Sequence, residues 1–187
     1  MNALVSHPAI KGVLATETDI SAVVQRIADQ LDAKFSQSSQ RPLFISVLKG
    51  AAIFTTDLLR KMTLDVDLDY IDVKSYNHAQ STGNIRVTHD VDTDLTDRDV
   101  VVVDEIVDTG RTMKWLTDYF KLKGARSVTT VVLTDKKDAR ILDVEIDFTG
   151  IQVPNEFLVG YGMDYNSYFR NLPVIAVIDT NKLDTIK

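Results

Sequence analysis

The sequence contains no cysteine and is poor in tryptophan, histidine and proline. The absence of cysteine excludes disulfides, metal sites built from thiolates and cysteine nucleophiles. No apolar run approaches the roughly 20 residues that a membrane-spanning helix needs, so we expect no attachment to a membrane. The N-terminus lacks a basic region followed by an apolar stretch, and no signal peptide is therefore expected. Together these absences favour a cytoplasmic protein.

Positive charge is also scarce, with 21 lysines and arginines against 27 aspartates and glutamates and a formal net charge of −6. A chain with this balance cannot present a broad basic surface, so we expect no general binding of nucleic acid. The P-loop pattern and the three-glycine dinucleotide fingerprint are both missing. The three histidines lack the spacing of a zinc hydrolase and give no support to a Ser-His-Asp triad.

What remains is an alternation of helix and strand patterns in a chain of ordinary composition and 187 residues. Helices are predicted over residues 20–35, 51–62 and 113–120, and strands over 43–48, 68–74, 85–89, 100–103, 127–133, 148–153 and 174–178. Thr18 or Asp19 is the expected N-cap of the first helix, and Gly124 is expected to end the third. We predict one α/β domain over residues 1–187, with a mainly parallel central sheet and helices on both faces.

The most informative stretch begins with four consecutive valines, residues 100–103, which indicate a strand buried on both faces. Asp104, Glu105 and Asp108 follow, and residues 109–112 then form a hydroxyl-rich turn with one glycine before a helix. Backbone N–H groups at a helix N-terminus bind phosphate, and nearby carboxylates can hold ribose hydroxyls, magnesium or a proton. The pattern predicts a site for a phosphorylated sugar. A solvated, acidic first helical turn is the alternative.

Polar residues follow the other predicted strands as well. In an open α/β sheet, ligands bind at the carboxyl ends of the strands. The segments at these ends are Lys49-Gly50, Ser75-Tyr76, residues 104–112 and residues 134–136. Each segment alone could be an ordinary solvated loop, but their coincidence on one edge of the sheet favours a binding site.

Several segments resemble a known family. Residues 102–112 resemble the phosphoribosyl-pyrophosphate (PRPP) signature of the type I phosphoribosyltransferases. The other matching segments are residues 48–50 (pyrophosphate loop), 74–76 with 81–83 (mobile lid), 133–136 (purine-recognition lysine), and 154–165 with 168–173 (base-binding hood). The signature alone is shared with regulators, whereas the signature together with the hood is typical of the hypoxanthine-guanine branch.

The resemblance implies a type I phosphoribosyltransferase fold. A small hood, formed by the N-terminal segment and about residues 148–175, would cover the carboxyl edge of the sheet. It implies a purine-salvage enzyme that transfers the phosphoribosyl group from PRPP to hypoxanthine or guanine, giving IMP or GMP and pyrophosphate. Mg²⁺ as cofactor and a homodimer or homotetramer are also implied. A xanthine-preferring enzyme and a non-catalytic PRPP- or nucleotide-binding regulator are alternatives, and the acidic charge favours the enzyme.

The resemblance also implies a role for each matching residue. Asp108 would be the general acid/base at purine N7. The 5′-phosphate and ribose would be bound by Asp104, Glu105, Asp108, Thr109, Gly110, Arg111 and Thr112. Pyrophosphate would be bound by Lys49, Gly50 and Arg170, and the lid would use Ser75 and Tyr76. The purine would be bound by Lys136, Phe157, Leu158 and Asp164. The Mg²⁺ ligands would be Asp164, Asp104 and Glu105.

Simpler interpretations exist for three of these residues: Lys136 as a solvated lysine, Phe157 as a core residue and Arg170 as half of a surface ion pair. The order Asp104-Glu105 reverses the Glu-Asp order that is common in the family. Both side chains keep their charge while their reach changes by one methylene, so we expect contacts with the ribose hydroxyls to survive. The resemblance also implies a strained or cis peptide at Lys49-Gly50.

Overall fold

The computed structural model describes residues 3–75 and 85–186 of the chain. The strands are β1 (Ile10–Ala15), β2 (Leu43–Leu48), β3 (Asp67–Ser75), β4 (Ile85–His89), β5 (Asp99–Val107), β6 (Ser127–Asp135), β7 (Phe148–Gln152), β8 (Leu158–Val159) and β9 (Ile175–Ile178). The helices are α1 (Glu17–Phe35), α2 (Ala52–Lys61) and α3 (Arg111–Leu122), with short 3₁₀ segments at Ala3–Ser6, Lys137–Ala139 and Thr180–Thr185. Every predicted helix and strand is present, while β1 and β8 were not predicted.

The larger sheet has six strands within the described residues, in the order β4-β3-β2-β5-β6-β7. All neighbouring pairs are parallel except β3 and β4. Val101 and Val103 of β5 pack with α1 and α2 on one face, and Val100 and Val102 pack with α3 on the other. All four valines are fully buried. The predicted parallel sheet with helices on both faces is confirmed.

Strand β5 is longer than its run of valines. The pairing with β6 continues through Ile106, opposite Thr134, to Val107, opposite Asp135. Asp104 and Glu105 therefore lie inside the strand, whereas the sequence pattern placed them after its end. The hydrogen-bonded ladder does not stop where the apolar run stops, because the partner strand extends equally far.

Helix α1 begins earlier than its apolar period indicates. Thr16 is the N-cap: its hydroxyl accepts from the Asp19 N–H at 3.3 Å, and the Asp19 carboxylate accepts from the Thr16 N–H at 2.9 Å. This capping box makes Asp19 the third helical residue, so the expectation of Thr18 or Asp19 as N-cap is wrong. At the end of α3, Gly124 follows the C-cap with a φ of +92°, which confirms the predicted stop.

A smaller antiparallel sheet has the order β1-β9-β8 and packs on its own apolar cluster, which includes Ala9, Phe169 and Leu172. Residues 148–152, which were assigned to the hood, form β7 instead and pair with β6 at the edge of the large sheet. Strand β1 escaped prediction because its side chains are largely exposed and do not alternate. Along residues 3–75 and 85–186, no helix combines the length and the apolar character needed to cross a membrane.

Candidate active site

Two adjoining clefts lie at the carboxyl edge of the large sheet. The first has a volume of about 300 Å³, and the predicted site residues in its lining are Lys49, Gly50, Asp104, Glu105, Asp108, Thr109, Gly110, Thr112, Asp164 and Arg170. The second, of about 200 Å³, is lined by Glu105, Ile106, Asp108, Lys136, Phe157, Leu158, Met163 and Asp164. Three carboxylates line both clefts. The structure thus brings together residues from segments that lie far apart in the sequence.

Among the predicted site residues whose side chains the structure describes, one is not in these linings. Arg111 begins α3 with an exposed side chain and is not among the described residues that line either cleft. Ser75 is the last residue of β3. Tyr76 and the rest of the predicted lid, up to residue 84, lie outside the described residues. Conversely, Met163 lines the second cleft and is 4% exposed, although the sequence pattern gave it no role.

The turn between β5 and α3 presents a helix N-terminus to the first cleft. Gly110 is the N-cap of α3, has a φ of +82° and makes no side-chain capping bond. A Cβ at this position would lie 2.8 Å from the Leu142 carbonyl oxygen and from the Arg140 Cδ. Only glycine fits this left-handed, crowded position without strain. The positive end of the helix dipole and the loop amides suit an anion in the cleft.

The carboxylates of Asp104, which is buried, and Glu105, which is half-buried, form an acidic pair. Asp104 is 7% exposed, and its Oδ1 accepts from the Glu105 N–H at 2.9 Å. Burial and the neighbouring Glu105 charge raise the pKa of Asp104 well above its ordinary value. Burial also raises the pKa of Glu105, although the Arg170 guanidinium acts in the opposite direction. A ligand that brought hydroxyl donors or a cation would stabilise the charged forms of both carboxylates.

Two glycines allow the chain to come close to this pair. The peptide bond between Leu48 and Lys49 is cis, one bond before the Lys49-Gly50 peptide where a strained or cis peptide was expected. A Cβ on Gly50 would overlap the Glu105 carboxylate, and a Cβ on Gly162 would overlap the Gly50 carbonyl oxygen. The Glu105 carboxylate is therefore seated against the backbone at Gly50, which in turn contacts the backbone of the hood.

Arg170 is held at the rim of the first cleft. Its Nη2 lies 2.6 Å from Asp164 Oδ1, and its Nη1 donates to the Gly162 carbonyl at 2.6 Å. The second oxygen of Asp164 accepts from the Ser167 N–H at 2.6 Å. The Arg170 and Asp164 side chains are only 32% and 25% exposed, so this pair is part of the cleft wall and not an isolated surface ion pair.

Lys136 and Asp108 face each other where the two clefts meet. The Lys136 ammonium lies 3.6 Å from Asp108 Oδ2, and the lysine side chain is 9% exposed while that of Asp108 is 49% exposed. The Lys136 N–H donates to the Val107 carbonyl at 3.0 Å, which fixes the lysine backbone beside the end of β5. The interpretation of Lys136 as a solvated lysine is therefore wrong.

Phe157 is not a core residue. Its side chain is 43% exposed, lines the second cleft and meets Tyr165 edge to face with ring centroids 5.7 Å apart. Its carbonyl accepts from the Ile178 N–H at 2.9 Å, and Leu158 pairs with Val177 in the small sheet. The aromatic ring is therefore held on a hydrogen-bonded backbone, and its position in the cleft lining suits contact with a flat ligand.

Comparison with known proteins shows the family of the chain. The family model described as the phosphoribosyl transferase domain matches residues 14–166. The hypoxanthine-guanine phosphoribosyltransferase of Streptococcus agalactiae is 39% identical over 170 residues, which are 90% of this chain and 93% of that protein. The bifunctional protein TilS/HprT of Listeria monocytogenes is 38% identical over 173 residues, and this chain spans 26% of its length.

Solved structures show the same similarity. The hypoxanthine phosphoribosyltransferase from Staphylococcus aureus superposes with a TM-score of 0.90 at 32% identity, covering 97% of each chain. The Trypanosoma cruzi hypoxanthine phosphoribosyltransferase in complex with the product IMP has a TM-score of 0.86 at 30% identity, covering 93% of this chain and 97% of that one. In sequence and fold, the chain belongs to the hypoxanthine-guanine phosphoribosyltransferases, within the phosphoribosyl transferase domain family.

Proposed function

We propose that the protein transfers the phosphoribosyl group from PRPP to hypoxanthine or guanine. The observation that carries this proposal is the spacing of 3.6 Å between the Lys136 ammonium and the Asp108 carboxylate. A 6-oxopurine presents its O6 and N7 side by side on one edge. Lys136 can donate to O6 while Asp108 pairs with N7, so one base can bind both groups. The 6-amino group of adenine offers hydrogens to a lysine that has only donors, which disfavours adenine.

The first cleft supports the sugar-phosphate half of the substrate. The amides at the start of α3 suit the 5′-phosphate, since that helix begins at Gly110 without a side-chain cap. Asp104 and Glu105 suit the ribose hydroxyls, because each hydroxyl that donates a hydrogen bond to a carboxylate offsets part of its desolvation. Gly50 and Arg170 line the same cleft and suit the pyrophosphate, the guanidinium as a fork-shaped cation.

Mg²⁺ fits this donor set as a cofactor that arrives with the substrate. Among the described residues, no group of three or more His, Cys, Asp or Glu is arranged to hold a metal ion. Mg²⁺ commonly uses one or two carboxylates together with substrate phosphates and water, so a cage made only of protein is not required. Asp164, Asp104 and Glu105 are the carboxylates that would hold it. Bound there, Mg²⁺ would supply charge neutralisation for the pyrophosphate.

The chain's own residues would act on the base and its proton. The purine nitrogen attacks C1 of the ribose as the bond from C1 to pyrophosphate breaks, and positive charge develops on the sugar. Asp108 takes up the N7 proton in the direction of synthesis and returns it in the reverse direction. Phe157 stacks on the base, and the buried ammonium of Lys136 holds its 6-oxo group.

A panel of bases tests the proposal. Nucleotide formation would be measured with PRPP and Mg²⁺ in the presence of hypoxanthine, guanine, xanthine or adenine. We expect turnover with hypoxanthine and guanine and none with adenine. Preferential turnover of xanthine would replace the proposed substrate class. No turnover with any purine would exclude the transferase activity and leave a non-catalytic ligand-binding protein.

The Asp108→Asn variant tests the acid/base assignment. We expect kcat to fall by about 10²–10⁴-fold, the usual contribution of a positioned general acid/base, with little change in the Kd for PRPP. Asp118→Asn is the matched control, because Asp118 lies on α3 in an exposed pair with Lys114. An unchanged kcat in the Asp108 variant would remove this residue from its assigned role.

A further inference from the structure

Arg140 joins three parts of the chain around the site, and the sequence patterns gave it no role. Its guanidinium Nη2 forms an ion pair with Asp135 Oδ1 at the end of β6. Its Nε donates to the Asp108 backbone carbonyl at 3.2 Å, and its Nη1 donates to the Val144 carbonyl at 3.2 Å. One side chain, 18% exposed, therefore bridges β6, the turn after β5 and its own segment.

On the purine side, Arg140 compensates a buried charge beside the lysine. Asp135 is 3% exposed and directly precedes Lys136. A carboxylate buried to this degree needs a hydrogen-bonded cation, because an unpaired charge in the interior is strongly unfavourable. The ion pair with Arg140 meets this need and fixes the end of β6 from which Lys136 extends.

On the phosphate side, Arg140 and its neighbours determine which way the loop amides point. The Asp108 carbonyl accepts from Arg140, and the Thr109 carbonyl accepts from the N–H groups of residues 141 and 142 at 3.1 and 3.0 Å. In a trans peptide the N–H points away from the C=O. The N–H groups of Thr109 and Gly110 therefore point away from the Arg140 segment. Both residues line the first cleft, where the phosphate is proposed to bind.

We propose that Arg140 is a positioning residue that holds the phosphate-binding turn and Lys136 in a fixed relation to each other. The inference rests on the proposed function, because it supposes that one substrate complex binds both to the phosphate-binding turn and to Lys136. It predicts that loss of Arg140 weakens binding at the phosphate end as well as at the purine end, although Arg140 is not among the described residues that line either cleft.

The chain offers a matched control for a purely structural effect. Arg126 binds Asp99 with its Nε at 3.1 Å and its Nη2 at 2.5 Å. Asp99 begins β5 and Arg126 directly precedes β6. This pair therefore joins the two strands at their amino ends, whereas Arg140 joins the same strands at their carboxyl ends. Loss of Arg126 removes an ion pair of the same kind from the same two strands, at the edge of the sheet away from the site.

The experiment compares Arg140→Ala, Arg140→Lys and Arg126→Ala with the unaltered protein. KM would be measured for PRPP and for hypoxanthine, and the Kd for ribose 5-phosphate would be measured by calorimetry. In Arg140→Ala we expect all three constants to rise by about tenfold, in line with the loss of a charged hydrogen bond, and kcat to change less. Arg140→Lys should restore part of the loss, because it keeps the charge but not the planar fork. Arg126→Ala should match the unaltered protein.

Equal shifts in Arg126→Ala and Arg140→Ala, or unchanged constants in Arg140→Ala, would overturn the inference. If Arg140→Ala does not fold, Arg140→Lys and Asp135→Asn supply the comparison, and unaltered constants in both would overturn it equally. An unaltered protein that binds ribose 5-phosphate but transfers the phosphoribosyl group of PRPP to no purine would refute the proposed function alone, because the calorimetric comparison would still decide the role of Arg140. Failure to bind ribose 5-phosphate would overturn both.

Discussion

Replacement of Asp104 by asparagine should make the protein more stable and less able to bind PRPP. The wild-type carboxyl is 7% exposed, and burial together with Glu105 raises its pKa. Asparagine has nearly the same shape and can still accept the 2.9 Å hydrogen bond from the Glu105 N–H. Removing this unfavourable buried charge should raise the free energy of unfolding at neutral pH by about 1–2 kcal/mol, within the usual range of a single stabilising substitution. The corresponding rise in Tm is about 3–6 °C for a chain of this size.

The sign of the effect fixes its pH dependence. A carboxyl whose pKa is raised by folding contributes stability that is fully present below its unfolded pKa, about 3.9 for aspartate. That contribution is lost as the pH rises through the folded pKa. The advantage of Asp104→Asn should therefore be smallest at about pH 4, grow through the weakly acidic range and level off above the folded pKa.

Urea unfolding followed by circular dichroism at several pH values measures this advantage. Asp99→Asn is the control, because hydrogen bonds from Arg126 lower the pKa of Asp99, at the other end of the same strand. That variant should lose stability at neutral pH, where the first variant gains it. An Asp104→Asn protein that is less stable than the wild type at about pH 8, or whose advantage is independent of pH, would refute the reasoning.

Two further predictions follow from close contacts in the structure. Gly50→Ala should displace the Glu105 carboxylate and weaken PRPP binding, measured by calorimetry, while the fold persists. Gly12→Ala is the control, because the space around its Cβ position is open, and it should change neither PRPP affinity nor the fold. Unchanged PRPP affinity in Gly50→Ala would contradict the prediction. Tyr161→Phe should lower the free energy of unfolding by about 1.5–3 kcal/mol, because the buried phenol donates to Asp57 Oδ2 at 2.6 Å; an unaltered Tm would contradict this.

The sheet could be predicted from sequence because its signals are local. Four consecutive valines indicated a strand buried on both faces, and both faces are covered by helices. The site could be predicted in outline because strands, turns and helix starts follow one another in short segments, and the parallel topology brings their ends together. Periodicity cannot assign roles to single residues, and the expected roles of Lys136 and Phe157 came from the family resemblance. Both residues line one cleft.

The missed features depend on contacts between distant residues. Arg140 binds the carbonyl of Asp108, 32 residues away, and nothing in the local sequence indicates that contact. Strand β1 has exposed side chains and exists because β9 pairs with it. The N-cap of α1 was missed because Thr16 stands before the apolar period begins, although a threonine followed by an acid three residues later is itself a capping signal.

Because Gly50 and Glu105 are in contact, the sizes of the side chains at these two positions depend on each other. The Glu105 carboxylate occupies the space that a Cβ on residue 50 would fill. Since β5 pairs with β6 on either side of Glu105, the backbone of β5 cannot slide to relieve an overlap at that residue. Enlarging residue 50 calls for a shorter acid at residue 105, and restoring the Glu-Asp order common in the family would leave a gap beside Gly50. In protein engineering, these two positions should therefore be varied together.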